Sequence, residues 1–271
     1  MPSMQIIPIK SNKIIEKNDD LLSILLESMK REGHSFENND ILVIASKVVS
    51  YAENRIIDFS SIKPSKQARR LAGKAKIPPE FAQIILNESD YNYIGCVPGA
   101  ITTITKYGLL ANAGSDQSNI GENQAILLPE NCKKSAEGIH NNLLEITGKY
   151  VGIIIADSRT IPMRLGTVGC ALATYGFLSV IDERGKLDLY GKQMTITTRA
   201  IADQLATAAE SLMGETNEQV PFVIIRGYPM IQISSSEERD LNSLISAEDC
   251  MFIGPILPCI KEIQHGDNEI D

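Results

Sequence analysis

Three carboxylates in this chain stand at chain breaks, where side-chain oxygens can meet a ligand. Asp157, followed by Ser158, comes directly after the apolar run VGIIIA (151–156). A carboxylate leaving a buried strand is held stiffly at the sheet edge and suits a hard cation such as Mg²⁺. On this local feature alone, the plainer reading of the Asp-Ser pair as the cap of a turn is favoured. Asp116 and Asn119 lie in the polar loop NAGSDQSN (112–119), after the strand-like LLA. Small residues there let the backbone approach a ligand, and an ordinary Asx-rich turn would use the same residue types. Glu215 follows Gly214, a natural terminator of the helix expected over Ala200–Met213. A carboxylate gains nothing from the negative end of a helix, so a metal partner would explain its place there. Ser46-Lys47 after ILVIA, and Arg159 with Arg164 after Asp157, add a hydroxyl and positive charge. These suit phosphate oxygens, or surface salt bridges.

What is missing narrows the chemistry. The chain has no G-x-x-x-x-G-K-[ST], no G-x-G-x-x-G after its first strands, no H-E-x-x-H and no G-x-S-x-G. A P-loop kinase, a dinucleotide dehydrogenase, a zinc protease and an α/β-hydrolase are disfavoured. His34, His140 and His265 read as structural or solvated, and five cysteines without a C-x-x-C pair give neither a zinc knuckle nor a disulfide framework.

The elements that must position these residues follow from periodicity. Met4–Ile9 has strand length and ends in the polar turn Lys10-Ser11-Asn12-Lys13. Asp19 precedes Leu22, Leu25, Leu26 and Met29, an amphipathic helix with an acidic start, and Ile41–Ile44 reads as a buried strand. Residues 65–76 form a basic helix, and Pro78-Pro79 ends it and starts another. IGCV, ITTIT and LLAN between Tyr91 and Ala111 are β segments, and Ser135–Ile146 is helical. VGIIIA is apolar throughout, hence buried on both faces, with further β segments to about Thr198. The stripe Ile201, Leu205, Ala208 and Leu212 marks the Ala200–Met213 helix; VPFVIIRG (220–227) is a strand and SSEERDLNSLI (235–245) opens a late helix. Strands and helices mix without a regular βαβ alternation, so the class is α+β.

The 271 residues carry 26 Lys+Arg against 34 Asp+Glu, a net charge of −8, and 43% hydrophobic residues, ordinary for a folded soluble chain. An acidic balance argues against a nucleic-acid coat, and 5% aromatics without Trp against a base-stacking platform. No apolar stretch reaches the ~20 residues of a membrane span, and the N-terminus lacks a signal-peptide pattern. A cytoplasmic protein is expected, with residues 1–240 as one module of two sub-domains. Residues 241–271 are read as an extension ending in a solvated tail.

Taken in order, DILVIASKVVSYAENR, ANAGSDQSN, VGIIIADSRTIPMRLGTVGCALA, DLYGK, IADQLATAAESLMGE and VPFVIIRG resemble the coenzyme F-420 γ-glutamyl ligases. The resemblance implies a GTP-dependent amide ligase that adds L-glutamate to the lactyl-phosphate side chain of the deazaflavin coenzyme through an acyl phosphate. It implies mixed, mostly antiparallel sheets with packed helices, in a two-part monomer within an intertwined homodimer. It further implies two divalent cations, Mg²⁺ or Mn²⁺, with a monovalent cation such as K⁺ as a further candidate. Position by position, Asp116 and Asp157 would hold one metal, and Ser158 and Glu215 the second. Lys10, Ser11, Ser46, Lys47, Asn119 and Gly214 would contact GTP, together with Glu215, while Arg164 is a candidate at the reacting groups. Where many relatives have S-K-A-E-G, this chain has Ser50-Tyr51-Ala52-Glu53-Asn54, and S-R-T-I-P-M-R replaces T-N-G-R after Asp157. Tyr107-Gly108 stands where relatives often have His-Gly. These departures fall at the substrate and nucleotide edges rather than on the metal-side oxygens. Two other readings use the same residues: a paralogous amide ligase acting on another acid or amino acid, and a non-catalytic nucleotide-binding regulator. Oxygen ligands kept at all four metal-side positions weigh against the second.

Overall fold

The computed structural model describes residues 3–229 and 244–260. Strand β1 (Gln5–Ile9) leads to helix α1 (Leu21–Arg31), capped by Asp20. The Asp20 carboxylate accepts from the Leu22 and Ser23 N–H groups at 3.1 and 3.3 Å, and Asp19 pairs instead with Lys13 at 2.8 Å. β2 (Ile41–Ala45) runs straight into α2 (Ser46–Ala52). β3 (Ile56–Asp58) precedes α3 (Lys66–Ala75), capped by Ser65, and α4 (Pro79–Glu88), with proline in its first turn where the missing N–H costs nothing. β4 (Tyr93–Val97), β5 (Ala100–Thr105) and β6 (Gly108–Ala111) follow as a meander, then β7 (Gln124–Ile126). α5 (Cys132–Thr147) starts ahead of the expected Ser135 because the Asn131 side chain caps it through the Lys134 N–H. The rest comprises β8 (Gly152–Thr160), β9 (Thr167–Tyr175), β10 (Val180–Asp182), β11 (Thr198–Ala200), α6 (Ile201–Met213) and β12 (Phe222–Arg226). The late helix expected from 235 falls almost wholly, and the tail 264–271 with His265 wholly, outside the described residues.

The class is α+β, with mixed and mostly antiparallel sheets. Two compact units form: Met1–Asn54 with Pro129–Ser243, and Arg55–Leu128 with Leu244–Asp271. In the first, five strands lie in the order β1-β12-β2-β8-β9, and β2–β8 is its one parallel pair. The last described strand therefore sits between the first two. Bidentate pairing of Arg226 on β12 with buried Asp40, 2.9 Å from Nε and 2.7 Å from Nη2, locks that insertion. In the second unit, α3 and α4 share a core of Leu71, Phe81, Ile84 and Ile85 with Tyr93 and Ile101 of the meander.

Helix α6 buries Ile201, Ala202, Leu205, Ala206, Ala209 and Met213 against the sheet. The expected stripe through Ala208 and Leu212 is rotated, and Leu212 is 40% exposed. Small side chains win that face because the helix backbone comes within reach of Gly169 on β9. A Cβ at Gly169 would overlap the Ala206 carbonyl and the Glu210 carboxylate. Gly169→Ala is expected to destabilise the protein by about 1–3 kcal/mol, as overpacking does. Denaturant titration checks this, and an unchanged midpoint would show that the helix can move away freely.

β8 differs from expectation in a way that matters for the site. It does not end at Ala156. A β-bulge at Ile155/Ala156 is followed by continued pairing with β9 from Asp157↔Cys170 to Thr160↔Thr167. The polar residues that looked like a turn are carried by an antiparallel hairpin ladder, which needs backbone partners and not apolar side chains.

Candidate active site

Within the first unit, β1 and β2 end, β12 begins and β8 leaves its pairing with β2 at one margin of the sheet, since Ile9 faces Phe222, Phe222 faces Ile44 and Ala45 faces Ala156. The loop from Gly214 to Pro221 is tied to that margin through Ser11 N–H to Gln219 O (2.9 Å) and Ala45 N–H to Pro221 O (3.0 Å). Lys10, Ser11, Ser46, Lys47, Asp157, Ser158, Gly214 and Glu215, far apart in sequence, are thereby carried to one end of one sheet.

Local bonding fixes several of them. Ser11 is buried, and its Oγ donates to Lys13 O at 2.5 Å; the Lys10 carbonyl accepts from Arg31 Nη2 at 3.1 Å. Ser46, buried at the first position of α2, donates its hydroxyl to Asp157 Oδ1 at 2.7 Å. Asp157 is half-buried, Ser158 exposed, and Lys47 half-buried. Gly214 has φ 72 and ψ 179, a conformation open essentially to glycine alone. Its Cβ position is filled by the Glu218 carboxylate, which turns back to accept from the Thr216 N–H at 2.9 Å. Backbone N–H groups hold the Glu218 carboxyl below its ordinary range.

Glu215 is exposed and accepts from Thr167 Oγ1 at 2.7 Å. Beside it stands Glu210 of α6, which is not among the candidates visible as residue type and spacing. Burial pushes the Glu210 carboxyl up to about 8, and the hydrogen bond with Glu215, its charge, and that of Asp157 push the same way. Glu210 Oε2 is buried without a hydrogen-bond partner. A sequence signal existed: Gly169 and the alanines at 202, 206 and 209 mark close helix–strand contact, and Glu210 extends that face. Burial likewise raises the Cys170 thiol to about 11, with Asp203, Glu210 and Asp157 adding and Arg159 opposing. Arg164, by contrast, is exposed in the connection between β8 and β9. Histidine 140 is buried with Nδ1 2.7 Å from Val151 O, among Tyr150 and Tyr175, a structural role as expected.

Asp157, Glu215 and Glu210 offer only hard oxygens, the kind Mg²⁺ or Mn²⁺ prefers, while Ser158, next to Asp157 on β8, turns its side chain to the other face of the strand. Two adjacent carboxylates with an orphaned oxygen are what a cation relieves. Among the described residues, no three His, Cys, Asp or Glu side chains stand together so as to hold a metal ion. Mg²⁺ characteristically takes only one or two carboxylates and completes its shell from water and substrate phosphates.

In the second unit, Asp116 pairs by backbone with Ile126, 2.9 Å in both directions. Its carboxylate accepts from Gln117 N–H (2.7 Å), Ser118 N–H (2.9 Å) and Ser118 Oγ (2.6 Å), an Asx turn as one of the two sequence readings had it. The preceding Asn112 and Ala113 have φ of 53 and 54, and Asn112 Oδ1 holds the Ile101 N–H at 2.9 Å. Asn119 also adopts the left-handed conformation, φ 54.

The sequence matches the family model for F420-0:Gamma-glutamyl ligase over residues 10–227. It is 37% identical over 227 residues to Coenzyme F420:L-glutamate ligase of Methanothermobacter thermautotrophicus, covering 83% of this chain and 90% of that protein. The proteins of the same name from Methanocaldococcus jannaschii and Archaeoglobus fulgidus are 41% identical over 209 residues and 34% over 244. These cover 77% and 88% of this chain, and 83% and 96% of the relatives.

Proposed function

The chain belongs to the F420-0:gamma-glutamyl ligase family, and we propose that it joins L-glutamate to the lactyl-phosphate carboxylate of coenzyme F-420 at the expense of GTP. The observation that carries this reading is the gathering of Ser11, Ser46, Asp157, Ser158, Gly214 and Glu215 at one margin of the first unit's sheet. For Asp116 and Asn119, which the second unit carries, the support is the resemblance of ANAGSDQSN.

A carboxylate does not condense with an amine unaided. In this proposal the γ-phosphoryl group of GTP passes to the acceptor carboxylate, GDP leaves, and the glutamate amine displaces phosphate from the acyl phosphate. Divalent cations held by Asp116, Asp157, Ser158 and Glu215 would supply charge neutralisation between triphosphate and carboxylate. K⁺ would add a monovalent charge. Asp157 is aimed by the Ser46 hydroxyl, Glu215 by Thr167, and the Gly214 loop lets main chain lie close to the nucleotide. Lys10, Lys47 and Arg164 add positive charge for the phosphates. Little proton transfer is asked of side chains, in keeping with three histidines in the whole chain. A cytoplasmic homodimer completes the reading; a second copy would cover Met163, Leu165, Leu189 and Tyr190, which are almost wholly exposed.

The test is to incubate the purified full chain with GTP, Mg²⁺ or Mn²⁺, L-glutamate and the coenzyme lacking glutamate, followed by mass spectrometry. A glutamyl mass increase with GDP release, abolished by chelation, is expected. GTP turnover on a different acid, with no glutamyl product, would transfer the proposal to the paralogous ligase.

A further inference from the structure

Arg159 lies on β8 two residues beyond Asp157, in the stretch of strand that continues past the apolar run VGIIIA. Alternation along a strand puts the two side chains on the same face, and the ladder to β9 is regular from Asp157↔Cys170 through Arg159↔Val168. Both Nε and Nη2 of its guanidinium are buried, and neither has a hydrogen-bond partner among the described residues. Folded proteins rarely keep a buried charged donor unsatisfied.

The surroundings make this more pointed. Asp157, Asp203 and Glu210 act with Arg159 on the same Cys170 thiol, so three carboxylates share its neighbourhood. A structural salt bridge would have used one of them, and none bonds either nitrogen. The Nε/Nη2 edge of a guanidinium presents two parallel N–H bonds, which match two oxygens of one carboxylate or phosphoryl group. Arg164, the arginine favoured from sequence, sits in the exposed connection and lacks that preorganisation.

We propose that Arg159 receives a substrate oxyanion along its Nε/Nη2 edge, beside the carboxylates of the candidate active site. The chemistry is a two-oxygen anion, from either a nucleotide phosphoryl group or the carboxylate of the amino acid. The choice of these two sources rests on the ligase reading; the unsatisfied edge does not.

Titration calorimetry of the full chain with GDP plus Mg²⁺, and separately with L-glutamate, distinguishes the sources. Arg159→Met is expected to weaken one of the two by roughly ten- to a hundredfold, the scale of a charge-assisted bidentate contact, and to leave the other within about twofold. Arg159→Lys should recover little, because an ammonium offers a point charge and not a fork. Full rescue by lysine, or unchanged binding of both probes in Arg159→Met, would overturn the inference, as would failure of the wild-type chain to bind either probe. A fall in the thermal midpoint of the ligand-free Arg159→Met protein, with binding retained, would mark the residue as structural and also overturn it. If wild type binds a probe through Arg159 yet adds no glutamate to the coenzyme, the ligase reading falls and this one stands. If glutamate is added equally by wild type and both variants, the reverse holds.

Discussion

Asp157→Asn is expected to lower the turnover of glutamate addition by about 10²–10³-fold, the scale of losing one strong contact in a preorganised electrostatic site. The substitution keeps shape and removes only charge. The Ser46 hydroxyl, which donates to Asp157 Oδ1 at 2.7 Å, can donate to the amide oxygen instead. Stability should therefore change by no more than about 1 kcal/mol, and steady-state kinetics alongside denaturant titration separates the two effects. Turnover within threefold of wild type would remove Asp157 from the proposed chemistry. The same change at Asp116 is expected to cost activity similarly, but with an added local penalty. Its carboxylate also closes a turn through Gln117 and Ser118, which an amide satisfies less well.

The largest expected effect on stability lies elsewhere, at Arg226→Met, which should destabilise the protein by about 3–5 kcal/mol. Asp40 is 1% exposed, and its two oxygens accept from Arg226 Nε and Nη2 while Oδ2 also accepts from the Glu37 N–H at 2.8 Å. Taking away the guanidinium leaves a buried carboxylate uncompensated, and attraction to that carboxylate is what raises the Arg226 pKa. The double substitution Arg226→Met with Asp40→Leu should recover much of the loss, since burying neither charge is cheaper than burying one. A single-mutant loss under 1 kcal/mol in urea titration would mean that water reaches Asp40 freely.

Much of the local structure was legible without the fold. Caps and prolines set α3 and α4, and the uninterrupted apolar runs ILVIA and VGIIIA identified the two strands that became the parallel pair. A boundary slipped where a side chain outside the periodic pattern took over, as with Asn131 ahead of α5. The candidate ligands Asp157, Ser158 and Glu215 could be named because carboxylates and hydroxyls beside strand and helix ends are visible as residue types and spacing.

Glu210 and the exceptional state of Arg159 could not be read that way. On a helix, Glu210 looks like a solvated face until Gly169 and three alanines draw the backbone down onto β9 and strand one of its oxygens. Arg159 looks like a surface cation until an antiparallel partner extends β8 through it and buries its fork. By itself, then, the sequence determined the class, most element positions and the kind of chemistry, because these depend on periodicity and residue type within a few neighbours. Only the tertiary structure decided that β12 inserts between β1 and β2, that the margins of four strands converge, and which charged groups lose their water. Those outcomes depend on pairing between segments more than two hundred residues apart, and burial of a charge is a property of what packs over it.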